Sequence, residues 1–373
     1  SGPIALVLSY EGTEDAARNA QESHGSPAPR LHGEAGDLIP PRASHAARPP
    51  VVSLVGAGNF ATAHLLPALR AVSGVEFAQV VASRGLNAET VRRRWKFRGA
   101  GTDPVSVWGD AATQVAIIAT RHDTHARFAR QAIEAGKAVF VEKPLALNED
   151  ELQEVGEALR RTGGRLMVGF NRRFAPSVRW ILDQFGPDRS EMRLHFRVAA
   201  GPLSSDHWLL DPEIGGGRLL GEGCHFIDLA CFAAGVEPSQ IQATSLDATS
   251  RRGGPHDFLL SLRFANGATA TIEYLSSSNA RVAKEYLEFH RAGMSAILRD
   301  YLEAEVYRGG RTQRRKWKTR DKGHRAEIAE FMAAVKGGLP TPIPEHESIR
   351  STQLTLMAMR SIGEGRPIDV PNR

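Results

Sequence analysis

From Val51 onward, short apolar runs alternate with stretches in which apolar residues recur at helical spacing. The runs "VVSLVG", "EFAQVVASR", "TQVAIIAT", "AVFVEK" and "RLMVGF" read as strands. The intervening "FATAHLLPALRAV", "HARFARQAIEAG" and "EDELQEVGEALRRTG" read as helices. Strands that are apolar on both faces are buried on both faces, and their alternation with helices predicts a parallel, doubly wound sheet. Beyond Phe170 the order changes. A helix is expected near Ala175 to Phe185, a strand in "EMRLHFRVAA", and a glycine run leading to a helix near Leu220 to Ala234. The segments "QIQATSLDA", "DFLLSLRFA", "GATATIEYLSS" and "EYLEFHRA" then alternate apolar with polar positions, as in a largely antiparallel sheet. Two final helices are expected near Gly323 to Lys336 and Glu345 to Ile362. The fold class is α/β: a Rossmann domain over 51–170, followed by an α+β domain with an open sheet over 171–373. Residues 1–50 lack hydrophobic periodicity and read as a short strand-like segment followed by a linker.

Composition narrows the class. At 373 residues and 42% apolar, the chain can build two cores, and it has no apolar run long enough to span a membrane. Two cysteines in one expected helix, Cys224 and Cys231, argue against a disulfide framework and a structural zinc site, so a reducing cytoplasm is the expected compartment. A net charge of +5 raises nucleic acid as a partner. Much of the excess, however, lies in "RGGRTQRRKWKTRDK" (308–322), without the aromatic or Cys/His spacing of nucleic-acid readers. The run reads as a solvated hairpin or the rim of an anionic-ligand site, and nucleic acid is set aside.

The first strand ends in "VGAGNFA", where Gly56, Gly58 and Ala61 have the spacing of a dinucleotide-binding turn between strand and helix. The first glycine permits the turn, the second lets a pyrophosphate approach the backbone, and the small third residue lets helix and strand pack. With Asn59 and Phe60 these residues form the expected phosphate cradle at a helix N-terminus. The next strand ends in "VVASRG". Ser83 and Arg84 stand where an NAD-selective site usually carries an acid, and they suit a 2′-phosphate. NADP(H) is therefore favoured, with NAD(H) open.

In "AVFVEKPLAL" a buried strand ends in Glu142, Lys143 and Pro144, at the sheet edge where open α/β folds collect ligands. With the glycine loop, "VEKP" and "GGGRLLGEGCHFIDL", the chain from Val51 to its end resembles the Gfo/Idh/MocA family of NAD(P)-dependent oxidoreductases. The resemblance implies that Lys143 lies beside the nicotinamide and hydrogen-bonds the reacting oxygen, with His225 as its acid/base partner. Moving a hydride to or from a carbinol carbon also requires moving the hydroxyl proton, which independently asks for such groups. Thr120, His125 and Glu142 join the cofactor side; His125 either shapes the nicotinamide pocket or caps the following helix. "TRHDTHA", "GFNRRFAP" and "GGGRLLGEGCHFIDL" are most similar to a subgroup in which this module follows an alcohol dehydrogenase-like module, whose tail the first fifty residues would then be.

One position departs from the family. Its sugar and inositol dehydrogenases commonly carry an Asp four residues before the histidine, where this chain has Gly221. Glu222 is adjacent, but one residue along a helix turns the face by about 100°. Asp228 is expected to share a face with His225 and orient it. Arg121 and His122 follow one strand end, and Arg172 and Arg173 another. The latter pair would hold an anionic substrate such as a nucleotide sugar or sugar acid, or be solvated. His207 and Trp208 precede the glycine run, where an aromatic ring could stack on a sugar.

The expected function is hydride transfer between a nicotinamide cofactor and a secondary alcohol or ketone of a sugar-like or cyclic polyol substrate. Alternatives are a lyase or glycosidase that recycles retained NAD, and a non-catalytic nucleotide-binding module. Self-association through the second domain's sheet is expected.

Overall fold

A computed structural model describes residues 49–247, 252–279 and 281–371. The tail and linker expected before Pro49 lie outside the described residues. The first half runs β1 (Val51–Val55), α1 (Leu66–Ala71), β2 (Glu76–Val81), α2 (Gly85–Trp95), β3 (Gly99–Gly101), α3 (Val105–Gly109), β4 (Val115–Ile118), α4 (His125–Glu134), β5 (Ala138–Val141), α5 (Glu149–Thr162) and β6 (Arg165–Val168). The six strands are parallel in the order β3-β2-β1-β4-β5-β6. The order reverses between β1 and β4, leaving a crevice at the carboxyl ends of these strands. Every residue of β4 and β5 is buried, as uniformly apolar strands require.

The second half runs α6 (Pro176–Phe185), β7 (Arg193–Ala199), α7 (Cys224–Ala234), β8 (Pro238–Ser245), β9 (Phe258–Phe264), β10 (Thr269–Leu275), β11 (Glu285–Arg291), β12 (Met294–Arg299), β13 (Glu303–Arg308), β14 (Arg311–Lys316), α8 (His324–Gly337), α9 (Glu345–Glu364) and β15 (Ile368–Asp369). Nine strands form one sheet, β14-β13-β12-β11-β7-β10-β9-β8-β15, antiparallel except where β10 runs parallel to β7. In β9 alternate residues are buried, with Phe258, Leu260, Leu262 and Phe264 on the covered face.

Among the described residues two large apolar cores lie one under each sheet, beside a small cluster of Val55, Val81 and Val107, and the later helices are divided between the two large cores. Ile328, Phe331 and Met332 of α8, with Cys224 of α7, Leu220 in the turn before it and Leu356 of α9, pack into the first core, while Leu354, Met357 and Ala358 of α9 pack into the second. Both halves thus meet around the crevice. The basic run 308–322 supplies the wholly exposed edge strand β14, paired to Glu303 and Glu305, but its last residue, Lys322, turns inward. No helix among the described residues is long and apolar enough to cross a membrane.

Candidate active site

The glycine loop leaves β1 through Gly56, whose φ of +100° suits glycine alone. A Cβ there would come within 2.4 Å of the Ala119 carbonyl group. Gly58 differs: a Cβ on it meets nothing within 4 Å, so the loop presents an open backbone face. The helix begins at Asn59 and Phe60 and passes through a π-helical turn, Ala61–Leu65, before α1. Phe60 remains 39% exposed over this face, while Ala61 is buried beneath the helix. An open backbone face at a helix N-terminus fits a dinucleotide pyrophosphate. Ser83 and Arg84 are exposed at the exit of β2, where an adenosine ribose would lie.

The exits of β4 and β5 are braced together. His125, fully buried, donates from Nδ1 to Pro144 O at 2.8 Å and places Nε2 3.2 Å from Thr120 O. Burial lowers its pKa to about 4, so it is a neutral strut between the two turns, not a helix cap. His122 donates from Nδ1 to Gly215 O at 2.7 Å and carries Trp208 edge-on at 4.8 Å; Arg121 lies over the same indole. These contacts bring the loop containing Trp208 onto the turn after β4. His207 stacks beside Trp208 but spends Nδ1 as an acceptor for the Leu209 amide.

Lys143 is half-buried, and its Nζ donates to Gly221 O at 2.7 Å. Gly221 belongs to a second π-helical turn, Leu219–Gly223, which leads directly into α7 and His225. A π turn holds one more residue than an α turn, so neighbouring side chains leave on altered faces. Gly221 faces Leu209 and His122: a Cβ there would stand 2.5 Å from Leu209 Cδ1 and 3.0 Å from His122 Cε1. Glu222 faces away from that contact. Its Oε2 accepts from Arg218 at 2.9 Å and from the Tyr274 hydroxyl, while a quarter of the side chain remains exposed. Arg218 is itself buried and also donates to Gly201 O. The family-typical acid position is thus filled by a backbone carbonyl that grips Lys143, and a separately anchored carboxylate stands next to it.

His225 is 9% exposed, packs edge-on to Phe170, and has a buried Nδ1 without a hydrogen-bond partner among the described residues. Desolvation, then the positive fields of Arg172 and Lys143, hold its pKa well below the usual histidine value, so the imidazole is neutral. The expected orienting role of Asp228 fails: its carboxylate is turned onto Arg173 at 2.7 and 2.8 Å and onto Ser351 at 2.8 Å. Arg173 is closed further by Glu347. Arg172 is also internal, forked onto Glu285 at 2.8 and 3.0 Å, with Lys322 and Tyr301 on the same carboxylate. Neither arginine offers an open edge to an anionic substrate, contrary to expectation. They bind the turn after β6 to the second half because buried charges need such partners.

Sequence reading missed Arg218, Tyr274, Lys322, His324 and Glu327. Glu327 carried a signal: it lies four residues before Phe331 on the apolar stripe of α8, where an unpaired acid is out of place.

The model of the family described as "Oxidoreductase family, NAD-binding Rossmann fold" matches residues 51–170, and that of the "GFO/IDH/MocA C-terminal domain" matches 188–290. The inositol 2-dehydrogenase of Rhizobium meliloti (strain 1021) is 28% identical over 336 residues, covering 85% of this chain and 98% of that protein. The levoglucosan dehydrogenase of Pseudarthrobacter phenanthrenivorans is 30% identical over 235 residues, covering 55% of this chain and 60% of that protein. A levoglucosan dehydrogenase solved with NADH and levoglucosan shares the fold, with a TM-score of 0.75 at 22% identity, covering 87% of this chain and 100% of that one.

Proposed function

Because the chain belongs to the Gfo/Idh/MocA family of NAD-binding oxidoreductases, we propose that it transfers hydride between a nicotinamide cofactor and a secondary carbinol or ketone carbon of a neutral, cyclic polyol or sugar-like substrate. The observation that carries this reading is the bond from Lys143 Nζ to Gly221 O, which ties the exit of β5 to the helix bearing His225. Bound nicotinamide would supply or accept the hydride. The glycine loop, with Gly56, Gly58, Asn59, Phe60 and Ala61, would hold the pyrophosphate, and Thr120 and the His125 strut would form the floor beside Lys143.

Lys143 hydrogen-bonds the substrate oxygen and stabilises charge as it develops there. In oxidation, the neutral His225 accepts the hydroxyl proton; in reduction it returns one. Since burial and nearby cations disfavour its imidazolium, His225 releases a captured proton readily. Glu222, fixed by Arg218 and Tyr274, accepts from a second hydroxyl, and Trp208 supplies a ring face. The internal pairing of Arg172 and Arg173 supports a neutral substrate, as do the substrates named for two of the relatives, inositol and levoglucosan, which are uncharged rings. Exposed Ser83 and Arg84 favour NADP(H). Self-association through the open face of the nine-stranded sheet belongs to the same reading.

The test is mass spectrometry of nucleotide released from the purified protein, NADPH and NADH titrations of wild type and Arg84→Ala, and turnover on a panel of cyclic polyols. The expected result is a preference for NADPH that Arg84→Ala abolishes, with turnover of uncharged rings. Tightly retained NAD with turnover needing no added cofactor would replace this reading by an internally recycling lyase. Binding without turnover would leave a non-catalytic module.

A further inference from the structure

Three aromatic rings meet where the glycine loop approaches α8. Phe60 lies 5.1 Å from His64, four residues further along the same helical segment, and edge-on to His324 at 5.6 Å. His64 and His324 stack at 5.0 Å. Exposure of a single apolar ring means little by itself. Phe60, however, stands beside the open backbone face at Gly58, and two imidazoles fix its ring from two sides.

His324 is anchored from behind. Gly323 before it has a φ of +95°, and a Cβ there would lie 2.3 Å from Asn171 O. Asn171 in turn donates from Nδ2 to Lys322 O at 2.8 Å, and Lys322 shares the Glu285 carboxylate with Arg172. The same turn after β6 carries Phe170 against His225 and Arg172 over the Phe226 ring at 4.7 Å. The start of α8 is therefore tied to the segment that packs on the His225 helix, and from there His324 reaches the glycine loop. We propose that His64 and His324 are positioning residues that hold the Phe60 ring as the apolar platform for the nicotinamide ring. This rests on the reading of the chain as a nicotinamide-dependent oxidoreductase.

A phenyl ring has nothing to offer a pyrophosphate, which backbone amides and the helix N-terminus serve. What it offers is a flat apolar face, and aromatic rings packed offset or edge-on gain more than their buried area alone provides. A dinucleotide brings two flat rings, and the topology chooses between them. The adenosine side belongs to the exit of β2, whereas Phe60 is engaged by α8, which is tied to the turn after β6 on the opposite side of β1. His324 suits the brace as an uncharged ring: burial first, then His64 and the cations Arg172, Lys322 and Lys143, lower its pKa to about 3. A neutral imidazole sits among these cations without repulsion and still packs against Phe60.

The test measures NADPH and NADH binding, and the emission of the bound reduced nicotinamide, which reports whether that ring is packed or in water. It compares wild type, Phe60→Ala, His324→Ala and His324→Phe in the full chain. Phe60→Ala should weaken binding about three- to tenfold and shift the bound emission toward that of free nucleotide. His324→Ala should move the emission in the same direction with Phe60 still present, and His324→Phe, which restores a ring against Phe60, should return it toward wild type. On the polyol panel, both alanine variants should raise KM for the nucleotide and lower kcat, with KM for the polyol unchanged. The proposal is overturned if Phe60→Ala binds and emits like wild type, or if His324→Ala alters only the polyol KM, as a direct substrate contact would. Should the panel show no turnover, the hydride-transfer reading fails while binding and emission still decide the platform. If neither nucleotide binds wild type, both fail together. If His324→Ala does not fold, His64→Ala, at an exposed position, tests the same brace by the same emission.

Discussion

Gly221 stands where the family resemblance leads one to expect an acid, and packing explains why an acid would not be accommodated there. A side chain there must displace Leu209 and His122, and with them the carbonyl that holds Lys143. Gly221→Asp should destabilise the protein by about 1–3 kcal/mol, as overpacking does, and lower kcat as well. Thermal unfolding and steady-state kinetics check both, and an active variant of wild-type stability would refute the steric account. His225→Gln preserves volume but removes the proton acceptor, so kcat should fall by roughly 10²–10⁴-fold with folding intact, read by turnover and circular dichroism. Lys143, His225 and the glycine loop could be singled out as candidates in the sequence because each lies at fixed spacing within a local motif. The roles of Arg172 and Arg173 were not legible, because Glu285 is 113 residues from one and Asp228 is 55 from the other. A pair of arginines after a strand looks the same whether it faces substrate or a buried carboxylate.

Among the elements, Glu285 at the start of β11 gathers Arg172 from the turn after β6, Lys322 from the approach to α8, and Tyr301. Burial works to raise its pKa, but Arg172 and Lys322 hold it well below the usual carboxylate range. Glu285→Gln would leave Arg172 and Lys322 buried without their counter-charge. Removing one partner of a buried pair costs about 3–5 kcal/mol, and the denaturant midpoint should shift accordingly. A shift within error would show that the network contributes no net stability. Strands and helices with strong periodicity, such as β9 and α5, could be read directly from the sequence. The short edge strand Gly99–Gly101 has no alternation to read, and α2 buries only Ala88 and Val91 among its three consecutive arginines. β14 is exposed at every position, so only its pairing with β13 identifies it as a strand. The assignment of α8 to the first core is likewise a tertiary fact, since an apolar stripe does not say which sheet it will cover.

For the whole molecule, a group of buried and partly buried imidazoles governs the response to acid. His122 and His225 lie well below the usual histidine value, His125 is lowered to about 4 and His324 to about 3, each chiefly by desolvation. In the unfolded chain these groups titrate near 6.5, so below that pH the unfolded state binds protons that the native state refuses. Stability attributable to them is present above 6.5 and is lost as pH falls. Glu142, Glu327 and Asp228 act in the opposite sense, because burial raises them and lets the native state keep protons that the unfolded state releases above about 4 to 4.5. Four imidazoles set against three carboxyls leave a net uptake of about one to two protons on unfolding between roughly pH 6.5 and 4.5, or roughly 1.4–3 kcal/mol of stability lost per pH unit. Urea midpoints across that range, combined with calorimetric unfolding in buffers of different ionisation enthalpy, measure the slope and the proton count independently. His122→Asn should flatten the slope by about one proton, since an amide can still donate to Gly215 O without titrating. A profile that stays level on acidification would mean that the native crevice accepts the protons after all, which would also remove the basis for treating His225 as the neutral acceptor in the reaction.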